Sequence, residues 1–306
     1  MVHPKIQKLL SIPQFEQRSP EWFAQRKDKL TSSDAASVLG TNPYSTKTEL
    51  LYHKCGLEKP FTSNVATLHG QKYEDTAIEL YCRITGKVNH NFGLLCYKDV
   101  NLGNYGNSDD SNDSNCVNDS NDVNDPNNVN ERDKNYITFQ KNPEYNFLAG
   151  SPDGIVESID NPDEEPILLE VKCPYRRKIK DGYIPIYYYP QVQLNLLICD
   201  LSVADFIEYC PKTSKLNIVR IIKDYDWISK NAQLLIDFWK DVVHYRNIGI
   251  EKHPEYLSYK MKEEKKLVQK KAREEAKAAR ENYKVIDLNQ KEDEENPFKN
   301  KCAIMD

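Results

Sequence analysis

The chain predicts an α/β fold of the mixed, α+β kind, with strands interspersed among helices. Three observations carry this expectation. Residues 147 to 172 read F-L-A-G-S-P-D-G-I-V, a polar interval N-P-D-E-E-P, then I-L-L-E-V-K: two β-type runs around a turn-forming interval. Helix signals with caps flank this stretch at 14–40, 70–85 and 187–200. Residues 206–210 and 217–222 read as a further hairpin, followed by an amphipathic helix over 225–248.

In chain order, Ser19-Pro20 starts the first helix, with Pro in its first turn. Trp22 and Phe23 are expected to face inward, with Arg26 one turn beyond Trp22. Thr31, Ser32, Ser33 and Asp34 offer N-caps for a second helix that ends at Gly40. Two capped helices with a solvated arginine would explain this stretch. An arginine beside hydroxyls at a helix start also suits an anion. Residues 46–56 form another helix closed by Gly56. The helix at 70–85 carries the apolar stripe Ala77, Ile78, Tyr81 and Cys82 and stops at Gly86. Glu74 falls in its expected first turn, where the helix dipole favours a carboxylate. It either serves there or faces a metal cleft.

Residues 91–99 read as a strand. From 104 to 135 the chain is Asn, Asp and Ser with little apolar content, and is expected to be a disordered insertion. Residues 136–139 resume the sheet. In the central pair of strands side chains alternate, so Glu170 and Lys172 share one face and Leu169 and Val171 the other. The apolar face should be buried and the Glu/Lys face open in a cleft. Asp153 borders the partner strand, which brings two carboxylates and an ammonium within reach of one point. Two carboxylates suit Mg2+, and a lysine beside them can polarise water. A bare Glu-x-Lys commonly marks only a surface pair; Ser-Pro-Asp-Gly at hairpin distance upstream argues for a site.

Arg176, Arg177, Lys178 and Lys180 follow as a basic cluster, either a solvated loop or a phosphate-backbone contact. Pro190 opens the helix at 187–200, with Gln191 in its first turn and Val192, Leu196 and Leu197 in the core. The helix at 225–248 should bury Trp227, Leu234, Leu235, Phe238, Trp239 and Val242. Residues 260–284 hold ten bases and five acids with almost no apolar face, as expected of a solvated helix. The domain reading is 1–250 for one folded domain and 251–306 for a charged extension and tail.

Net charge is −5, yet residues 104–135 alone contribute −6, so overall charge excludes nothing about nucleic acid. The eight cysteines form no C-x-x-C, which argues against zinc, iron–sulfur and disulfide frameworks and for reduced thiols in an intracellular compartment. No apolar run approaches membrane-spanning length, and no signal peptide is expected.

Three separated segments resemble the lambda-exonuclease-like, YqaJ-type viral recombinase group of PD-(D/E)XK nucleases. They are Ser19-Pro20-Glu21-Trp22 with Arg26 and Thr31-Ser32-Ser33; Gly70-x-x-Tyr73-Glu74; and Ser151-Pro152-Asp153-Gly154 with Glu170-Val171-Lys172-Cys173-Pro174 and Pro190-Gln191-Val192-Gln193. The resemblance covers most of residues 14–200. It implies a PD-(D/E)XK restriction-endonuclease-like core, a central mixed sheet flanked by helices. It also implies DNA phosphodiester hydrolysis with two Mg2+ ions, for which Mn2+ can substitute. Asp153, Glu170 and the Val171 main-chain carbonyl would be metal ligands, with Glu74 reaching a metal directly or through water. Lys172 would orient or activate the attacking water, and Gln191 would orient groups near Lys172. Arg26, Ser33 and Ser151 would hold a 5′-phosphate, and Arg176 and Arg177 would touch DNA.

The family further suggests 5′→3′ digestion of one strand at duplex DNA ends, a single-strand annealing partner and a trimer. The Asn-, Lys-, Ile- and Tyr-rich composition suits an AT-rich genome such as that of a large DNA virus, which would place the protein in the host cytoplasm or at a viral replication site. Two other classes stay open: a related nuclease acting internally or on RNA, and a non-catalytic DNA-end-binding module.

Overall fold

The computed structural model describes residues 2–57, 64–102 and 142–294, with side chains placed as far as residue 281. The expected insertion at 104–135, the strand at 136–139 and the last residues of the tail lie outside the described residues. In chain order the elements are α1 (Pro4–Leu10), α2 (Pro20–Lys27), β1 (Leu30–Thr31), a 3-10 turn (Ser32–Asp34), α3 (Ala35–Val38), α4 (Lys47–Lys54), α5 (Val65–Thr85), β2 (Lys87–His90) and β3 (Leu95–Cys96). There follow β4 (Leu148–Gly150), β5 (Gly154–Ser158), β6 (Ile167–Lys172), α6 (Tyr189–Ile198), β7 (Val203–Cys210), β8 (Lys215–Ile222), α7 (Tyr225–Ile248) and α8 (Tyr256–Glu294). The chain forms two compact units, Met1–His244 and Tyr245–Asp306.

In the first unit, five described strands form a sheet in the order β2-β5-β6-β7-β8. β6 and β7 run parallel, with Glu170 opposite Phe206; the other neighbours are antiparallel. Two adjacent parallel strands need a crossover, and the segment carrying α6 supplies it. α5 packs Ala77, Ile78 and Tyr81 against Ile167, Leu169, Val171 and Ile207. On the opposite face, Asn195 of α6 reaches Glu170. β6 is therefore covered on both faces, which explains its nearly continuous apolar run.

Local chemistry explains the helix ends. Ser19 caps α2 by accepting from the Trp22 amide, and Thr46 and Glu49 form a capping box on α4. Asn64 caps α5, and Gly86 ends it with φ 66°, a left-handed conformation that glycine enters freely. The expected hairpin of β7 and β8 is present. α8 runs on as a helix whose side chains are exposed from Glu264 to Glu281, as its charge pattern predicts.

Several expectations are corrected. The run 147–156 does not form one strand. Leu148–Gly150 belongs to a separate three-stranded sheet, β1-β4-β3, and the chain crosses to the larger sheet through Ser151-Pro152-Asp153. The strand expected at 91–99 shrinks to Leu95–Cys96. The helix expected after Thr31 begins as a 3-10 turn. Phe23 and Leu234 are 51% and 48% exposed, not core, because each sits one position off its helix's buried stripe. α5 starts at Val65, so Glu74 lies well inside it and gains nothing from the N-terminal dipole. Glu170 is not open to a cleft, since α6 covers it completely.

Candidate active site

β6 carries Glu170 and Lys172 on its α6-facing side. The turn between β4 and β5 brings Asp153 beside them. Leu169 O accepts from the Asp153 amide at 3.2 Å, and Asp153 Oδ2 accepts from the Val171 amide at 2.7 Å. This exchange locks the Asp153 carboxylate against β6. The Lys172 ammonium donates to Glu170 Oε1 and lies 3.8 Å from Asp153 Oδ2. Its Nζ also stands 5.5 Å from the centre of the Tyr188 ring. Asn195 Nδ2 donates to the second Glu170 oxygen at 3.2 Å. Both oxygens of a fully buried carboxylate are thereby satisfied, as burial requires.

Glu74 of α5 reaches the same locus. Burial and then Asp153 push its pKa up to about 7, while Arg18 and Lys172 oppose the shift. Burial pushes Glu170 up to about 8 against the pull of Lys172, with Asp153 and Glu74 adding to the rise. Burial also works against the Lys172 charge, but Glu170 and Asp153 outweigh it and hold the ammonium protonated beyond the ordinary lysine range. Buried carboxylates that repel one another form a site short of positive charge.

Carboxylate oxygens with no thiolate or imidazole beside them suit a hard divalent cation, and the Val171 main-chain carbonyl would complete such a donor set. Among the described residues no three His, Cys, Asp or Glu groups already enclose an ion position; the Lys172 ammonium instead lies with Asp153 and Glu170.

A cleft of about 890 Å3 opens onto this point, lined by Glu74, Val171, Lys172, Arg176, Arg177 and Tyr188 among others. Arg176 is exposed there, whereas Arg177 is tied to the buried Glu208 of β7. Gln191 is half-buried in the first turn of α6, and no hydrogen bond joins it to Lys172 among the described residues. Gln193 is structural: it donates to Ile222 O and accepts from the Asp224 amide.

Arg26, Ser33 and Ser151 gather around Trp22. Arg26 lies over the indole at 4.3 Å and donates to Thr31 Oγ1 at 3.2 Å and Ser33 Oγ at 3.1 Å. The indole N–H donates to Ser151 Oγ at 3.0 Å. Asp34 accepts from the Thr31 amide and hydroxyl and pairs with the buried Lys54 at 2.8 Å. Arg26 is therefore a held group, not a solvated one.

Sequence reasoning missed Arg18, Lys54, Tyr188 and Asn195. Asn195 left a readable signal, an amide inside the apolar run L-N-L-L of a buried helix. Its position also explains Gly150, where an added Cβ would lie 2.3 Å from Asn195 Oδ1 and 3.3 Å from Ile198 Cδ1. Gly150→Ala is expected to cost about 1–3 kcal/mol and to dislodge the Glu170 partner. A denaturant midpoint equal to wild type would contradict that.

The model of the YqaJ-like viral recombinase domain matches residues 21–104 and 120–202, more than half of the sequence. The chain belongs to this family. Its viral relatives include the mimivirus "Uncharacterized protein R354", 29% identical over 214 residues, covering 67% of this chain and 31% of that protein. Protein D345L of African swine fever virus is 27% identical over 197 residues, covering 63% of this chain and 49% of that protein. The chain thus spans half or less of the length of these relatives. Among solved structures, the alkaline exonuclease LHK-Exo from Laribacter hongkongensis superposes with a TM-score of 0.51, and its complex with dAMP with 0.52. Each is 20% identical and covers 80% of this chain and 99% of the other. This likeness concerns the fold, a mixed sheet flanked by helices.

Proposed function

We propose that this YqaJ-like protein is a metal-dependent DNA exonuclease that resects double-stranded ends, 5′→3′ from a 5′-phosphate, in recombination, repair or replication. The observation that carries the reading is the convergence of Asp153, Glu170, Lys172 and Glu74 at the head of a cleft that also presents Arg176. Asp153, Glu170, the Val171 carbonyl and Glu74 would hold two Mg2+ ions, or Mn2+ in their place. When bound, the ions supply charge stabilisation to the attacking and leaving oxygens.

The chain's own groups do the positioning. Lys172, kept charged, directs hydrogen bonds at the attacking water and the phosphoryl oxygens. Water forms the new bond to phosphorus and the bond to the 3′-oxygen of the terminal nucleotide breaks. The phosphate stays with the next nucleotide as a fresh 5′-phosphate. Arg26, Ser33 and Ser151 would bind the terminal phosphate, so the cut falls one nucleotide in.

Duplex DNA ends are the proposed partner, with an annealing protein and a homotrimer as further family expectations. An intracellular site, the host cytoplasm or a viral replication site, is the proposed location. Among the described residues no helix is long and apolar enough to cross a membrane.

The test is digestion of linear duplex DNA with Mg2+, comparing 5′-phosphate ends, 5′-hydroxyl ends and a closed circle. Loss of the 5′-phosphorylated strand with the circle spared is expected. Arg26→Ala should reduce the preference for the phosphorylated end by about tenfold. Cutting of the circle would instead indicate an internal nuclease, and tight binding without cutting would indicate an end-binding module.

A further inference from the structure

We propose that Arg18 is a built-in countercharge on Glu74 that a divalent cation must displace, so that this arginine sets how tightly the site takes up metal. The inference rests on the reading of Glu74, Asp153 and Glu170 as metal-holding groups. Arg18 has φ 72°, in the left-handed region that a non-glycine residue enters against steric resistance. Glycine would make the same turn freely. From this position the arginine side chain reaches Glu74, where Nη2 lies 3.4 and 3.3 Å from the two carboxylate oxygens.

The contact is long and shared, and the Arg18 side chain is 49% exposed. The guanidinium can therefore leave Glu74 for solvent without stranding a buried charge. Arg18 also lines a second cleft, of about 750 Å3, whose other charged lining residues are Glu16, Glu74, Asp75 and Asp153. Among the described residues lining it, Arg18 is the one base. Glu74 borders both this cleft and the one holding Lys172. A guanidinium and a metal ion cannot accept the same carboxylate lone pairs together, and their like charges repel. Removal of Arg18 should therefore tighten metal binding, and the gain should depend on Glu74.

The experiment is Mn2+ titration of the full chain without DNA, with free Mn2+ read by electron paramagnetic resonance. The proteins are wild type, Arg18→Gly, Glu74→Gln, the double variant and Asp153→Asn. Arg18→Gly keeps the left-handed turn and removes only the side chain. It is expected to bind Mn2+ about fivefold tighter, and the same substitution in the Glu74→Gln background to change affinity by less than about twofold. Unchanged or weaker binding in Arg18→Gly, with Asp153→Asn still losing Mn2+, would overturn the Arg18 role alone. Undiminished binding in Asp153→Asn would overturn the metal-site reading and the Arg18 role with it.

Discussion

Lys172→Ala is expected to lower phosphodiester cleavage by about three orders of magnitude or more while duplex binding survives. Two losses compound. The first is the donor itself, the ammonium that contacts Glu170 and stands 3.8 Å from Asp153. The second is electrostatic. Glu170 is fully buried, and Lys172 is the group that holds its pKa down against burial. Without that cation the carboxyl rises further above its value of about 8, so a metal ion must displace its proton at a still greater cost. Asp153→Asn separates charge from positioning. The amide oxygen can still accept from the Val171 N–H, so the β6 geometry is kept while the anion is lost. Single-turnover cleavage and anisotropy of a labelled duplex, the latter with Ca2+, measure the two quantities. Full cleavage by Lys172→Ala would remove this residue from the site. Parallel loss of cleavage and binding would make its role one of folding.

The parts of the site that were legible in the sequence are those set by local rules. Alternation along β6 placed Glu170 and Lys172 on one face, and the Ser151-Pro152-Asp153 turn brought a second carboxylate to it. Ser19 and Gly86 marked helix ends because each satisfies orphan backbone groups with its own chemistry. The expectations that failed depend on contacts distant in the chain. Glu170 is sealed by α6, and nothing within β6 announces which helix will cover it. Glu74 was misplaced because Gly70 looked like a boundary, whereas the cap is Asn64 and the helix accommodates the glycine. Residues 147–156 look like one β-type run, but the break at Pro152 splits them between two sheets. Arg18 could not be found at all, since its significance lies in a φ value and a partner 56 positions away.

The metal-free protein is expected to lose stability as pH rises from about 4.5 to about 8, and divalent cations are expected to restore it. Glu74 titrates near 7 and Glu170 near 8, both above the usual 4.5. Between the unfolded and folded values the native protein holds protons that the unfolded chain has released. Their stabilising effect is complete below the unfolded value and is lost as pH climbs through the folded one. Glu74 alone accounts for roughly 3 kcal/mol. Neighbouring groups act in other windows. Glu157, lowered because its hydrogen bonds and His90 outweigh the burial that would raise it, works below the ordinary carboxylate range. Lys223, lowered by burial to about 8 despite Asp200, acts only above that value. A cation at the site replaces the protons, so Mn2+ should raise the urea midpoint little at pH 5 and substantially at about pH 8. Glu74→Gln should flatten the apo slope, because a neutral amide has no proton to lose. A midpoint in EDTA that is level or rising between pH 5 and 8 would mean that these carboxylates are not the strained anions their surroundings imply.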